Sequence, residues 1–466
     1  MSWIADFNWL RVAKGRFRDR AICKAAGQGD LDAVRRLHRS GADLRTRNDE
    51  PLCRACEAGH LDIVRYLHQN GSQLSARDHQ PLCRACQNGH LDVVRYLHEN
   101  GAATQLLTAE ARRLIEEMWQ ELRAASAVYQ PSAFWDEMSK INERVLGWAG
   151  EPNFKRTLNQ NYFNFIPTAS ADARMVRMRR LTRHLPSCAL AAYAIEDPDC
   201  DPSLWMSCYP DYYIFKKPDR VTKRELYREY LALMYRYAMH RDGSGLLAKL
   251  EEPELGNPIH VYRNGKLVSQ DIVNSVRERN SIVSALQAKS NMRFALAELG
   301  AGYGRLGYLM LKTTNCRYFV FDIPPALYVS QWYLSTLFPE RRVFRFRRFE
   351  KLEEIKHELS AADIGFFTSN QLAKFPSEYF DLFATISSLH EMRQDQIKHY
   401  MALMGRTTRS LLYLKQQKDY VNPVDNLVIG KDDYPVPDGW VAAEERFDMI
   451  NPGFFERIYR RRLTGA

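Results

Sequence analysis

The sequence predicts an α/β fold in which an all-α repeat array and a mostly helical middle region precede a doubly wound parallel sheet. Three observations predict this fold class. A 30-residue period recurs near the N-terminus, apolar residues then follow helical spacing, and a strand, glycine turn, helix and strand open the C-terminal region. These changes place the domain boundaries at residues 1–103, 104–290 and 291–466.

The composition is ordinary for a globular chain. Of the 466 residues, 45% are hydrophobic and 26% are charged, which argues against a disordered protein. No apolar run approaches the ~18 residues that a membrane span needs, and no secretory leader is recognisable. Nine cysteines suit a reducing compartment, so we expect a cytoplasmic protein. The net charge of +10 is scattered and predicts no nucleic-acid partner.

The repeat begins at Gly29 and returns at Gly59 and Gly89. Each unit is predicted to form two short helices, with Pro51 and Pro81 near the start of the first helix. One unit cannot bury its apolar face alone, so the units must stack. The pattern resembles the ankyrin repeat, whose period is about 33 residues. The shorter period predicts a shortened finger before each proline, and the resemblance implies a protein partner.

Two cysteine pairs in the array form a CxxC…CxxC pattern, which can bind zinc. They are Cys53 with Cys56 and Cys83 with Cys86. The pairs lie one repeat apart, and the first repeat has Ala26 at the second cysteine position. We therefore interpret these cysteines as small buried residues of the repeat and predict no metal.

Further helices are predicted outside the repeats. Residues 1–17 carry apolar residues at helical spacing and are predicted to cap the open end of the array, with a membrane-surface helix as the alternative. One amphipathic helix is predicted after Thr108 and another from Glu225. The intervening segment with Asn161 and Tyr162 combines polar and aromatic side chains, which suits a sugar; an ordinary loop is the alternative.

The strongest chemical signal is a glycine turn between two predicted strands. The first strand ends at Glu298 and leads into Gly300, Gly302 and Gly304, and after a helix the second strand ends at Asp322. Glycines let the backbone turn tightly and approach a ligand, and the second acid can bind ribose hydroxyls.

Two cofactor motifs fit this turn. Residues 302–307 match the dinucleotide pattern GxGxxG, and residues 298–304 match the ExGxGxG pattern that resembles S-adenosylmethionine-dependent methyltransferases. We favour the second motif because its strand-end acid suits the cationic amino-acid end of S-adenosylmethionine. The remaining chain is also long enough for one doubly wound domain and too short for an added substrate domain.

Further strands complete the predicted sheet. They lie at 364–367, 380–386, 410–414 and 454–460, the last one antiparallel. In open α/β sheets, ligands bind beyond the carboxyl ends of the strands. Polar pairs follow three of these strands there, namely Ser369 with Asn370, His390 with Glu391, and Lys415 with Gln416. A separate hairpin is predicted around Asn264-Gly265.

From about Pro131 onward the chain resembles the bacterial family of sugar O-methyltransferases. The matching stretches are 153–163, 251–258, 269–275, 298–305, 322–328 and 388–392. The resemblance implies a Rossmann-like class I methyltransferase domain that transfers the methyl group of S-adenosyl-L-methionine to a hydroxyl of a glycan or nucleotide-sugar. The ankyrin array is not part of this resemblance.

The motif and the resemblance together define a predicted site. Cofactor binding is assigned to Glu298, Gly300, Gly302, Gly304, Arg305, Asp322, Ile323, Ser369 and Asn370, and substrate contacts to Asn161, Tyr162 and Lys415. His390 is the predicted base, since histidine titrates near neutral pH, and Glu391 is the alternative base or orients the histidine. Two other functions stay open: a binding protein with an inactive methyltransferase-like domain, and a nicotinamide-dependent oxidoreductase.

Overall fold

A computed structural model of the chain describes part of the sequence. The described residues are 18–87, 90–102, 107–151, 154–157, 165, 167, 169–186, 190–195, 220–287, 292–422 and 426–462. The predicted N-terminal cap at 1–17 lies outside them, as do Asn161 and Tyr162. The chain divides into two compact units, one with the repeats and Arg144–Thr157, the other with Thr108–Glu143 and the sheet.

The repeat unit consists of short helices around a shared apolar core. A helical stretch at 18–28 is followed by α1 (Leu31–Arg39), α2 (Thr46–Ala58), α3 (Leu61–Gln69), α4 (Ala76–Gln87) and α5 (Leu91–Glu99). Leu52, Val64 and Leu67 are fully buried in this core. Each helix pair therefore buries its apolar face against its neighbours, as stacking of repeats requires.

A left-handed turn precedes Pro51 in α2. Arg47, Asn48 and Asp49 have φ values of +52°, +57° and +61°, so regular helix in α2 begins only after them, next to Pro51. Each such non-glycine residue costs about 1–3 kcal/mol unless its surroundings hold it. Arg77 of the next repeat donates to the carbonyls of Arg47 and Asn48 and so stabilises the turn.

The two cysteines of the first CxxC pair are buried thiols. Cys53 and Cys56 are fully buried in α2. Burial raises the pKa of the Cys53 thiol to about 12 and that of Cys56 well above its ordinary value. Both therefore stay protonated and pack as small apolar groups. The side chains of Cys83 and Cys86 lie outside the described part of the chain.

Ten further helices follow the array in the described residues. They are α6 (Ala109–Arg123), α7 (Ala133–Ala149), α8 (Phe154–Thr157), α9 (Ala173–Thr182), α10 (Arg220–Arg241), α11 (Gln270–Leu286), α12 (Arg305–Thr313), α13 (Ala326–Leu337), α14 (Lys356–Ala361) and α15 (Gln394–Thr407). Thr108 caps α6, because its hydroxyl accepts the Ala111 N–H at 3.0 Å. None of the helices in the described ranges is long and apolar enough to cross a membrane.

The main sheet has eight strands among the described residues. They are β4 (Arg293–Leu299), β5 (Asn315–Asp322), β6 (Val343–Phe344), β7 (Ile364–Thr368), β8 (Phe380–Ile386), β9 (Thr408–Gln417), β12 (Trp440–Phe447) and β13 (Phe454–Arg461). Their order is β12-β13-β9-β8-β4-β5-β7-β6, with β13 antiparallel to β9 and to β12. The predicted α/β fold is confirmed. Strand β6 is too short, and β12 too exposed, to give a periodic apolar signal.

Short strands form two smaller sheets. One contains β1 (Tyr193–Ile195), β2 (Val261–Arg263) and β3 (Lys266–Leu267), and the other contains β10 (Asp419–Val421) and β11 (Val428–Gly430). Between β2 and β3, Asn264 and Gly265 have φ values of +50° and +76°. Positive φ at both central residues fits the predicted hairpin turn.

The order of the strands reverses between β4 and β8. From β4 the chain proceeds through β5 to β7 on one side, and from β8 to β9 on the other. Such a reversal opens a crevice at the carboxyl ends of the two strands, where doubly wound sheets bind ligands. The turn after β4 and the loop after β8 therefore lie side by side.

Candidate active site

The glycine turn after β4 adopts a backbone that favours glycine. Gly300, Gly302 and Gly304 have φ values of +71°, +59° and +89°. A Cβ atom on Gly300 would lie 2.0 Å from Ser388 Oγ and 2.5 Å from Ser388 Cβ, closer than atoms can approach. The loop after β8 thus packs directly against the turn, and glycine is required for both backbone angle and space.

Asp322 ties the end of β5 to the glycine turn. Its carboxylate accepts the Gly302 N–H at 2.8 Å and the Ile323 N–H at 2.7 Å. Burial raises the pKa of Asp322 to about 7, although the two N–H groups favour the ionised form. The structure therefore brings together three residues that the sequence assigns to the cofactor, from two separate parts of the chain.

Two other residues of the motif make contacts within the protein. Glu298 is buried in β4 and accepts a hydrogen bond from Tyr318 on β5. Burial raises the pKa of Glu298 to about 7, with the Tyr318 hydroxyl acting in the opposite direction. Arg305 pairs with Glu278 on α11 and donates to Ser275 Oγ at 2.9 Å. Arg305 thereby joins α12 to α11, and cofactor contact by either residue stays a prediction.

Buried polar atoms lie at the carboxyl end of β7. Thr368 Oγ1 and Asn370 Oδ1 have no hydrogen-bond partner among the described residues. The Asn370 amide donates to Glu121 Oε1 at 3.1 Å, which fixes its orientation, and Ser369 between them is buried. A buried polar atom without a partner costs about 1–3 kcal/mol. A water molecule or a polar ligand can supply the missing partner.

His390 lies in a short 3₁₀ turn after β8 and is 1% exposed. Its Nδ1 lies 2.9 Å from Gln416 Oε1, and its Nε2 lies 3.7 Å from Glu391 Oε1. Burial lowers the pKa of His390 to about 4, and the bond to Gln416 offsets this only in part. The expectation of titration near neutral pH is therefore wrong, because burial disfavours the charged ring.

Two residues that precede the sheet in the chain hold Glu391 by hydrogen bonds. The Trp135 indole N–H donates to Glu391 Oε2 at 3.1 Å, and Ser132 Oγ donates to the Glu391 carbonyl at 2.9 Å. Burial raises the pKa of Glu391 to about 8, with the Trp135 bond favouring the ionised form. The buried His390 and the partly exposed Glu391 are thus both mostly uncharged at neutral pH.

The ammonium group of Lys415 lies between two acidic side chains. Its Nζ lies 2.9 Å from Glu278 and 2.8 Å from Asp448, and all three side chains are buried. Arg277 pairs with Asp448 at 2.8 Å and extends the network. Lys415 therefore has structural partners, and its assignment to the substrate stays a prediction.

Three residues near the site were not assigned from the sequence: Glu121, Trp135 and Gln416. Glu121 and Trp135 lie on helices far from the motif in the chain and carry no local signal. Gln416 follows Lys415 at a strand end, which is the signal that could have indicated it. No group of three acidic, His or Cys side chains within the described residues is placed to hold a metal ion.

Comparison with known proteins identifies the N-terminal unit. Residues 22–107 match the family model for ankyrin repeats, in three copies. Residues 22–107 are an ankyrin-repeat array. The array covers less than half of the chain, and no curated protein sequence matches the chain.

Solved structures similar to the chain include three methyltransferases. A SAM-dependent methyltransferase from Leishmania major is 14% identical, covers 41% of this chain and 72% of its own, and has a TM-score of 0.29. Magnesium protoporphyrin IX methyltransferase from Synechocystis, with bound SAH, is 12% identical, with coverages of 41% and 86% and a TM-score of 0.28. A Burkholderia thailandensis 1,6-didemethyltoxoflavin methyltransferase is 12% identical, with coverages of 40% and 77% and a TM-score of 0.27. Similarities this low assign no activity to the chain.

Proposed function

We propose that the chain is an S-adenosylmethionine-dependent O-methyltransferase that acts on a sugar hydroxyl, and that its ankyrin array recruits a protein partner. The observation that carries the proposal is the contact at the switch point of the sheet. There a glycine turn at Gly300 packs against Ser388, two residues before His390 and three before Glu391. The glycine turn and a candidate base thus lie at the same edge of the sheet, where doubly wound folds bind ligands.

The residues at this edge fit the cofactor. The glycine turn leaves no room for a Cβ at Gly300 and lets a ligand approach the backbone. Asn370 Oδ1 and Thr368 Oγ1 are buried, have no hydrogen-bond partner among the described residues, and can bond to polar atoms of the adenine ring. Asp322 has two acceptor oxygens for ribose hydroxyls beside the backbone N–H groups that it already binds. These residues would hold the cofactor.

For this reaction, a side chain of the protein must take a proton from the hydroxyl group that accepts the methyl group. When bound, S-adenosylmethionine supplies a methyl group on a positively charged sulfur. The neutral His390 ring can accept the hydroxyl proton at Nε2. A pKa of about 4 makes His390 a weak base alone, so the nearby Glu391 carboxylate is needed to stabilise the charged ring.

The proposed function is tested by calorimetry followed by mass spectrometry. The purified protein should bind S-adenosylmethionine and not NAD, and should add one CH₂ unit in mass to a component of the host's nucleotide-sugar and glycan pool. NAD binding without S-adenosylmethionine binding would favour the oxidoreductase. Cofactor binding with no methylated acceptor would favour an inactive domain used for protein binding. A methylated acceptor other than a sugar would correct the substrate class.

The pH dependence of turnover follows from the pKa of Glu391. Below about pH 8 this side chain is increasingly protonated and neutral, and cannot stabilise the His390 cation. We expect kcat to rise about tenfold per pH unit below the pKa of Glu391 and to level off above it. Glu391→Gln should flatten this profile at a lower rate. Initial rates at saturating acceptor between pH 6 and 10 measure it.

His390→Ala is the companion variant. It should lower kcat by about 10²- to 10⁴-fold over the same pH range, while calorimetry shows nearly unchanged cofactor affinity. Near-normal turnover in His390→Ala together with a slow Glu391→Gln enzyme would transfer the role of base to Glu391. Normal rates in both variants would place the base elsewhere.

Removal of residues 1–103 tests the role of the ankyrin array. The repeats bury their own core, and the candidate site residues in the described part of the chain all belong to the other unit. We therefore expect kcat on a small soluble acceptor to stay nearly unchanged, measured on a truncated protein shown by circular dichroism to be folded. Loss of turnover in a folded truncated protein would mean that the array forms part of the site.

A further inference from the structure

A single buried oxygen holds the loop that follows β8. Gln416 Oε1 accepts the backbone N–H of Ser388 at 3.1 Å and that of His390 at 3.3 Å. The same atom lies 2.9 Å from His390 Nδ1. Gln416 is fully buried near the end of β9. One side-chain atom therefore contacts both the backbone of the loop and the imidazole ring.

These contacts determine which end of the Gln416 amide meets the ring. A backbone N–H can only donate, so the amide atom that meets two of them must be the oxygen. The other end of the amide agrees, because Nε2 donates to the Thr385 carbonyl at 3.2 Å. Since the oxygen can only accept, His390 Nδ1 must carry the proton.

The other ring nitrogen is then left as an acceptor. In a neutral imidazole with a proton on Nδ1, Nε2 carries a lone pair. The Gln417 amide nitrogen lies 3.4 Å from this Nε2, a long contact that an acceptor hydroxyl can replace. The Tyr420 and Phe454 rings lie 4.6 Å and 6.0 Å from the imidazole, centroid to centroid, and limit its rotation.

We propose that Gln416 is a positioning residue that keeps His390 in the Nδ1–H tautomer, with its Nε2 lone pair available to the acceptor hydroxyl. This role rests on the proposed function, because the lone pair matters when the hydroxyl proton moves to Nε2. In the opposite tautomer Nε2 already carries a proton and cannot take another one. Gln416 also anchors Ser388, which packs against Gly300, so the ring and the glycine turn share one support.

The tautomer can be measured independently of activity. We expect ¹⁵N NMR of the full-length protein with labelled histidine to show His390 protonated at Nδ1 and unprotonated at Nε2 between pH 6 and 8. The His390 signal is the one lost in His390→Ala. Gln416→Met keeps a side chain of similar length without an acceptor, and should shift His390 toward the Nε2–H tautomer. Gln396→Met is the matched control, because it removes another buried amide, whose bonds are to backbone groups of Arg393, Val128 and Gln130, and it should leave the tautomer unchanged.

Kinetics provide the second readout. Gln416→Met should lower kcat about 10²-fold or more, with the acceptor KM and the cofactor affinity little changed. Gln416→Glu keeps an acceptor oxygen. It should restore the Nδ1–H tautomer, raise the His390 pKa in an NMR titration, and recover part of the lost kcat. A merely structural role for Gln416 would not produce this recovery.

Two results would overturn the inference. One is a wild-type His390 protonated at Nε2, and the other is a Gln416→Met protein that keeps both tautomer and kcat. If the methionine variant does not fold, the glutamate variant and the wild-type tautomer still decide the question. If no acceptor is ever methylated, the proposed function fails, while the NMR measurement still decides whether Gln416 sets the tautomer.

Discussion

Replacement of Lys415 by methionine is expected to lower the free energy of unfolding by about 3–5 kcal/mol. The ammonium group is buried between Glu278 and Asp448, which would lose a partner that they cannot replace with water. Burial alone would raise the pKa of Glu278, but Arg305 and Lys415 hold it below its ordinary value. Lys415 and Arg277 likewise hold the pKa of Asp448 well below its usual range. Urea denaturation measures the loss.

The effect of Lys415→Met should depend on pH with a definite sign. An acid with a lowered pKa in the folded state contributes stability above its unfolded pKa of about 4, and this stability is lost as pH falls. The difference between variant and wild type should therefore be largest near pH 7 and shrink below about pH 4. Lys418→Met is the control, since Lys418 pairs with Asp419 only at the surface and should cost less than about 1 kcal/mol. Equal stability of Lys415→Met and wild type would contradict the structural role.

Replacement of Gly300 by alanine is expected to abolish detectable cofactor binding. The new Cβ would overlap Ser388 Oγ and Cβ, so the loop after β8 must move away from the turn. The residue would also have to keep φ at +71°, which costs an alanine about 1 kcal/mol or more. Calorimetry with S-adenosylmethionine on a protein shown to be folded measures the effect.

Replacement of a second glycine distinguishes the steric overlap from the cost of a positive φ. Gly265 has φ +76° in the β2–β3 hairpin, and a Cβ there would meet no described atom within 4 Å. Gly265→Ala thus carries the backbone cost without the overlap, and should bind the cofactor normally with a small loss of stability. Normal binding by Gly300→Ala would show that the loop adapts, and would remove the argument that the turn and the loop form one site. A Gly300→Ala, Ser388→Gly double variant should recover part of the binding.

The sequence could predict the order of elements because their signals are local. The apolar run of β4, the glycines after it and the acid that ends β5 need no knowledge of the rest of the chain. The direction of the parallel strands then places their carboxyl ends at one edge of the sheet. Ser388 and Gly300 follow neighbouring strands, so their proximity is a consequence of topology. The repeat array could also be predicted, because its period recurs in the sequence itself.

The ionisation states of the site residues could be predicted only from the tertiary structure. His390 is an ordinary histidine in the sequence, and only its burial lowers its pKa to about 4, because removal of water disfavours the charged ring. Burial likewise raises the pKa of Glu391, because removal of water disfavours the charged carboxylate. Trp135, from a distant part of the chain, donates a hydrogen bond to it. Burial depends on which distant segments cover a group, and no local pattern encodes that.

The sequence by itself determined the fold class, the repeat array and the edge of the sheet at which a ligand can bind. Only the tertiary structure decided which partners the polar residues there have. Lys415 is enclosed by Glu278 and Asp448, and Gln416 supports His390 through one oxygen. The physical reason is that secondary structure follows from neighbours in the chain, whereas charge, tautomer and hydrogen bonding in a buried site follow from neighbours in space.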